Sequence, residues 1–398
     1  LIFGIVSWVN DLNLILGGLA VMSCGLVLWQ FVAARKFPLH QRVQNDDALA
    51  FAPGISLLKP LKGCDATTAA SLESWFQQDY RGPRQILFAV GDAADPVCAI
   101  VRELQQKYPG LDTELVVCDL GGIANAKVAK LAHLEKLAWH PLILISDADV
   151  RVPADFLTNF VAPLRDERVG LVNCFYRLAN PVNLAMRYEA VSVNADFWSQ
   201  VLQSKSLGPM DFALGAAIIL RRESLARIGG FAALANCLAD DYQLGNRIYK
   251  KGQRIELCPV VVECWDAPMN WGDVWKHQVR WARTIRVCQP VPYFFSILSN
   301  ATLWALLWLA AALATTKTLG QPLAALILLL ARIALAQKLQ YYFTPGRRLI
   351  SDAWLVPLKD LMQTAVWFTA FSGNTVEWRG RRMQLLRDGT LTELSRTA

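Results

Sequence analysis

LILISDADV, residues 142–150, is the stretch on which the reading of this chain turns. Its first four residues are apolar enough to fill a buried strand, and Ser146-Asp147-Ala148-Asp149 follows at once, so two carboxylates one residue apart close a strand. Comparable apolar runs stand on either side: ISLL (55–58), QILFAV (85–90), ELVVC (114–118) and VGLVNC (169–174). Between them, 69–78, 97–108, 126–139 and 154–165 carry helical spacing. Such alternation predicts an α/β fold with a doubly wound, mostly parallel sheet and flanking helices. Ligands of these sheets bind beyond the carboxyl ends of the strands, where Asp92 and the Asp147/Asp149 pair both fall.

Outward from this core the chain turns apolar. At 398 residues and 54% hydrophobic content it holds one sizeable soluble core and enough further apolar residues for a membrane. Residues 12–34 are long enough to cross the hydrocarbon layer and lead into Arg35-Lys36, which reads as a retained anchor. Two more spans are expected at 293–315 and 323–343. The segment 354–371 contains Pro357, Lys359 and Asp360, and charge at bilayer depth is costly, so it is expected to lie in the interface or re-enter. The predicted division is 1–36 anchor, 50–268 catalytic domain, 269–290 amphipathic helix, 291–375 membrane region and 376–398 basic tail. With Arg35 and Lys36 inside, the catalytic domain is cytosolic, the chain returns near Arg347-Arg348, and the WRGRR tail (378–382) folds back toward that domain.

The net charge of +7 gathers beside apolar segments, which favours an anionic membrane face over nucleic acid. Nine cysteines stand singly with no CxxC pair, which suits a reducing compartment. A channel or carrier is disfavoured by the size of the soluble part and by the expected lack of paired intramembrane charges.

Asp147 and Asp149 are spaced to hold a hard cation, Mg²⁺ or Mn²⁺, that would neutralise a departing diphosphate. By itself a DxD tripeptide is weak; its strand context and the signals around it give it weight. Asp92 suits hydrogen bonds from a base or ribose, while Asp95, just before Pro96, is the better helix cap. Asp240-Asp241 reads either as a helix-start cap or as the source of a general base, Asp241. Asn125 and Lys127 open a helix after a glycine pair and could meet a diphosphate. Arg280 and Trp281 offer a guanidinium for the diphosphate and a flat apolar face for the acceptor or the sugar, with His277 one turn earlier on the same side. The stretch 271–286 reads as an amphipathic helix, either in a membrane interface or packed on the domain.

Taken in order, KPLKG (59–63), GDxxDP (from Asp92 to Pro96), NxK (125–127), SDAD (146–149), ADDY (239–242) and HQVRWARTIR (277–286) resemble the ceramide glucosyltransferase family. The likeness runs from about Ile55 to the WRGRR segment. It implies a GT-A fold and inverting transfer of a hexose from a UDP-sugar, UDP-glucose above all, to a lipid primary hydroxyl such as that of ceramide. It further implies donor contacts from Lys59, Asp92, Asn125, Lys127, Asp147 and Asp149, metal at Asp147 and Asp149, Asp241 as base, and Arg280-Trp281 in a (Q/R)xxRW element. His277 departs from that element. It brings the chain close to bacterial members, including hopanoid-pathway enzymes that take UDP-N-acetylglucosamine and a polyol lipid, and an Ala-rich composition fits a bacterial inner membrane. No obligate protein partner is expected. A binding module without chemistry is the reading from another class, but it would have no use for a base.

Overall fold

The computed structural model describes residues 2–43, 50–121, 123, 125–316, 318–344, 352–378, 381–386 and 389–393, with the backbone alone at 2–9, 378, 381 and 393. Arg347-Arg348, where the chain is expected to return, and Arg379 of the WRGRR segment lie outside the described residues. The chain divides into two compact units. One holds 38–180, 207–268 and 378–398, the other 1–37, 181–206 and 269–377. Residues 181–206, expected within the catalytic domain at 50–268, thus belong to the helical unit, and the tail 378–398 belongs to the sheet unit.

The sheet unit is built on eight strands: β1 (Ile55–Pro60), β2 (Arg84–Val90), β3 (Asp112–Val117), β4 (Leu142–Ser146), β5 (Val150–Arg151), β6 (Val169–Leu178), β7 (Ala217–Arg221) and β8 (Arg254–Cys264). Their order is β3-β2-β1-β4-β7-β6-β8-β5. β1 pairs in parallel with β2 and with β4, and β2 with β3. The apolar runs of β1, β2 and β4 are buried along nearly their whole length, as strands covered on both faces must be. β3, whose Asp112 and Glu114 interrupt the apolar pattern, lies at the sheet edge and is only partly buried.

Beyond β4 the sheet is mixed: β7 runs antiparallel to β4 and to β6, β6 pairs in parallel with β8, and β5 lies antiparallel to β8. The chain leaves β1 toward β2 on one side and reaches β4 on the other. This reversal is a switch point, and in open α/β sheets the ligand crevice lies beyond the carboxyl ends of the strands that flank it, here β1 and β4.

In the helical unit, Asn10–Lys36 of the helix Ile2–Lys36 and the helix Gly320–Phe343 are each long and apolar enough to cross a membrane. The expected span at 293–315 is not one straight helix. Pro290–Ser299 and Ala301–Thr315 meet at a 47° bend, where the Asn300 side chain accepts from Leu303 N and starts a new helix. Gly17 lets two helices close up, since a Cβ there would stand 3.0 Å from the Trp308 ring.

Leu355–Phe371 forms one helix of 17 residues, unbroken by Pro357. The proline sits in the first turn, where backbone N–H groups have no intrahelical partner to lose. Lys359 and Asp360 are buried and paired. Lys359 Nζ lies 2.5 Å from Asp360 Oδ1 and also meets Asp196, while Arg332 bonds Asp360 (2.9 Å) and Asp196 (2.6 Å). Two cations and two anions cancel, which removes the objection that these charges stand uncompensated. It also overturns the expected lack of paired charges among the apolar helices. At about 1.5 Å per residue the helix is still shorter than the roughly 30 Å hydrocarbon layer.

Candidate active site

The crevice is furnished from four places in the sheet unit. β1 ends at Lys59, which is completely buried, with its ammonium 4.7 Å above the Trp75 ring. Lys59 Nζ donates to Ser146 Oγ (3.2 Å) and to the main-chain oxygen of Asp147 (2.6 Å). Burial draws its pKa down to about 7, opposed by the charges of Asp149 and Asp147. Its ammonium is spent beneath the loop that follows β4, so Lys59 positions that loop instead of meeting a donor from solvent.

That loop carries Asp147 and Asp149. Asp147 N donates to the main-chain oxygen of Ala216 (3.1 Å), a residue held at φ 131°, a strained value for a side chain with a Cβ. Next to it Gly215 N donates to Asp241 Oδ2 (2.7 Å). A Cβ on Gly215 would stand 3.0 Å from Asp241 Oδ2 and 3.9 Å from Asp147 Oδ2. The two carboxylates therefore flank the same bare stretch of backbone, and a side chain at Gly215 would wedge between them.

Asp240 and Asp241 open the helix Asp240–Lys250. No side chain caps its N-terminus; Asp241 Oδ1 accepts from Tyr242 N (2.8 Å), and Oδ2 reaches across to Gly215. Burial first, then the charge of Asp240, raise the Asp241 pKa to about 6, against the lowering effect of Lys127 and the two backbone N–H groups. Asp149 is raised to about 7 by burial and by the charges of Asp147 and Asp266.

Asn125 is fully buried and wholly engaged. Its Oδ1 accepts from Lys127 N (3.1 Å) and Val128 N (3.2 Å), and its Nδ2 donates to the Cys237 carbonyl (2.9 Å) and Asp240 Oδ1 (3.4 Å). It caps one helix and braces the approach to the next, a positioning part in place of the expected diphosphate contact. Lys127 projects from this cap into the carboxylates, 2.7 Å from Asp147 Oδ1 and 3.7 Å from Asp240 Oδ2. Burial alone would lower its pKa, but Asp147, Asp240 and Asp241 overcome this and hold it well above the usual lysine value.

Asp92 stands exposed beyond β2, with Oδ1 accepting from Ala94 N (2.9 Å). Asp95 ties the KPLKG turn to the next helix, accepting from Gly63 N (2.9 Å) and Val97 N (3.1 Å). Sequence reading passed over Gly215 and residues 389–391. A bridge joins Thr390 to Cys237, Leu391 N donates to Asn236 O (2.7 Å) and Leu238 N to Gly389 O (3.3 Å), so residues 389–391 clasp the loop that leads into Asp240-Asp241.

Among the described residues no group of three or more His, Cys, Asp or Glu side chains is arranged to hold a metal. Asp147 and Asp149 nevertheless fit a cation that takes its remaining ligands from phosphate and water, since Asp149, its pKa raised by burial and by the charge of Asp147, favours added positive charge.

His277, Arg280 and Trp281 lie in the helical unit, on the helix Trp271–Cys288. A capping box between Asn270 and Asp273 starts this helix, and Val279 and Ala282 pack against Val366 and Ala370. It is thus a packed helix on that face, although Trp271 and Ile285 remain exposed. His277 stands edge-on to Trp281 at 4.4 Å, and Trp281 faces Phe197 at 5.9 Å.

A parallel half-sheet with paired carboxylates at its switch point, continued by a mixed half, is the architecture of the GT-A fold. The chain belongs to glycosyl transferase family 21, whose model matches residues 16–391. It is similar to ceramide glucosyltransferase 3 of Caenorhabditis elegans, 25% identical over 249 residues, 62% of this chain and 53% of that protein. It also resembles the ceramide glucosyltransferase of Candida albicans, 30% identical over 136 residues, 31% and 25% of the two chains. A third relative is the beta-monoglucosyldiacylglycerol synthase of Trichormus variabilis, 26% identical over 249 residues, 62% and 51%. The chain spans about half the length of the curated relatives it matches first. Among solved structures, the mannosyltransferase PcManGT of Pyrobaculum calidifontis, determined with GDP-Man and Mn²⁺, shares the fold at TM-score 0.54 and 21% identity, over 92% of this chain and 98% of that one.

Proposed function

We propose that the protein moves a hexose, with inversion, from a UDP-sugar to the primary hydroxyl of a membrane lipid, glucose to ceramide being the principal reading. The observation that carries it is the meeting of Asp147, Lys127, Asp240 and Asp241 around Gly215, at the sheet position where this fold class binds ligands. Asp92, open at the end of β2, suits the uridine. Asp147 and Asp149 would hold Mg²⁺ or Mn²⁺, whose charge supplies neutralisation for the departing diphosphate. Lys127, already among these carboxylates, adds a tethered positive charge beside them.

Asp241 takes the proton of the acceptor hydroxyl as its oxygen bonds to the anomeric carbon; the bond from that carbon to the diphosphate breaks, and UDP leaves with the electron pair. A carboxylate with its pKa near 6 is ionised at neutral pH and is a stronger base than an ordinary aspartate. The aromatic group around Trp281 and the two apolar helices suit a lipid acceptor in or beside a bilayer, with the sheet unit on the cytosolic side. Relatives named for ceramide and for diacylglycerol give diacylglycerol standing as a second acceptor.

The purified chain, incubated with UDP-glucose or UDP-N-acetylglucosamine and with ceramide, diacylglycerol or a hopanoid polyol, is expected to yield one glycolipid whose mass identifies donor and acceptor together. Release of UDP with no glycolipid from any pairing would refute lipid transfer.

A further inference from the structure

Glu189 has no solvent exposure, yet it carries a carboxylate in the helix Leu184–Val191. A buried charge persists when it is paired. Among the described residues both of its hydrogen bonds fall on one oxygen: Oε1 meets His277 Nδ1 at 2.7 Å and accepts from Gln278 Nε2 at 2.9 Å, whereas Oε2 has no partner there. Sequence reading gave Glu189 no part, because it lies far from every motif.

With Nδ1 committed to a carboxylate, the imidazole is fixed in orientation and tautomer, and Nε2 becomes its working corner. The side chain of His277 keeps 25% exposure, and its ring is further braced by Trp281. Phe197, which faces Trp281, belongs to the π-helical turn Ser192–Phe197 that follows Glu189, so a single stretch of chain backs both His277 and Trp281. π-helical turns inside helices recur at functional sites. An imidazole with Nδ1–H turned to a carboxylate has a lone pair on Nε2, which accepts a hydrogen bond from a hydroxyl. Its aromatic neighbours and the apolar helices of the same unit suit an amphiphile.

We propose that His277 Nε2 receives the hydroxyl-bearing head of the lipid acceptor and that Glu189 is the positioning residue that aims it. This rests on the lipid-transfer reading and extends it to the acceptor side. The test uses the full chain in bicelles with short-chain ceramide and dioleoylglycerol as acceptor probes. His277→Ala is expected to raise the acceptor KM about ten- to hundredfold, the range for a lost hydrogen bond to a charge-supported group, while leaving the donor KM and UDP affinity within about twofold.

Glu189→Gln is expected to reproduce that pattern, and in the His277→Ala background to add less than about twofold, because its effect passes through the imidazole. Should Glu189→Gln fail to fold, Glu189→Asp, which keeps the charge and shortens its reach, takes its place in the same cycle. Losses that multiply in the double variant would make Glu189 merely structural and overturn the proposal, as would an unchanged acceptor KM in His277→Ala. A wild-type protein that glycosylates neither probe, nor a hopanoid polyol, overturns the underlying lipid-transfer reading instead.

Discussion

Lys127→Met keeps the length of the side chain and removes the ammonium that stands 2.7 Å from Asp147 and 3.7 Å from Asp240. Breaking a fully buried pair costs about 3–5 kcal/mol, because the surviving charge is left without compensation. The Lys127 side chain is 17% exposed and that of Asp147 42%, so solvent screens part of the loss and about 1–3 kcal/mol is expected. At about 2–4 °C per kcal/mol for a domain of this size, melting should fall by about 2–12 °C at pH 8.

The pH dependence gives the test its direction. In the wild type the lysine pKa is raised, so its contribution is complete below the ordinary lysine value and constant from pH 5 to 8. In the variant, Asp241 loses a neighbour that favours its ionised form, and its proton affinity rises further. A carboxylate whose folded pKa is raised is stabilising while protonated and loses that contribution as pH climbs through the folded value. The gap between variant and wild type should therefore be small at pH 5 and widen toward pH 8, as read by differential scanning fluorimetry. Added Mn²⁺ with UDP should narrow it, since a divalent cation restores the missing charge. Coincident melting curves at pH 8 would refute the assignment of Lys127 as counter-charge to this cluster.

Asp241→Asn should lower turnover by about two to four orders of magnitude while UDP-sugar affinity, measured calorimetrically, stays within a few-fold. More than about a tenth of wild-type activity would move the base elsewhere, to Asp240 first. Excess EDTA should suppress transfer, since two carboxylates leave most of a cation's shell to phosphate and water; full turnover in chelator would assign diphosphate neutralisation to the chain's own cations. Leu391→Pro removes the N–H that bonds Asn236 O at 2.7 Å and loosens the clasp on the loop before Asp240. It should lower kcat severalfold with the donor KM unchanged, and equal loss in both would mean that the tail merely supports the fold.

Much of this arrangement was legible because it rests on local rules. An apolar run followed at once by carboxylates announces a buried strand and the point where it ends, and LILISDADV and QILFAVGD both behave that way. β8 was harder to read: burial alternates along RIELCPVVVEC, polar residues and Pro259 interrupt it, and the strand is recognised by its pairing with β6. Lys59 and Asn125 were expected to contact the donor, but a sequence names a polar group without saying whether its hydrogen bonds are already spent. Both are, on Asp147 and Ser146 for Lys59 and on Cys237 and the helix start for Asn125.

The membrane helices show the same limit. Hydropathy located 12–34 and 323–343, since burying apolar surface needs only composition and length. The charge balance of Lys359 and Asp360 depends on Arg332 and Asp196, far away along the chain, and no local pattern reports it. The sequence by itself determined the α/β class, the strand ends that carry Asp92, Asp147 and Asp149, and the apolar helices, for periodicity and hydrophobicity are properties of neighbouring residues. Only the tertiary structure decided that Lys127 lies between Asp147 and Asp240, that Gly215 is flanked by two carboxylates, and that Glu189 backs His277, because each of these depends on the distance between side chains that folding alone brings together.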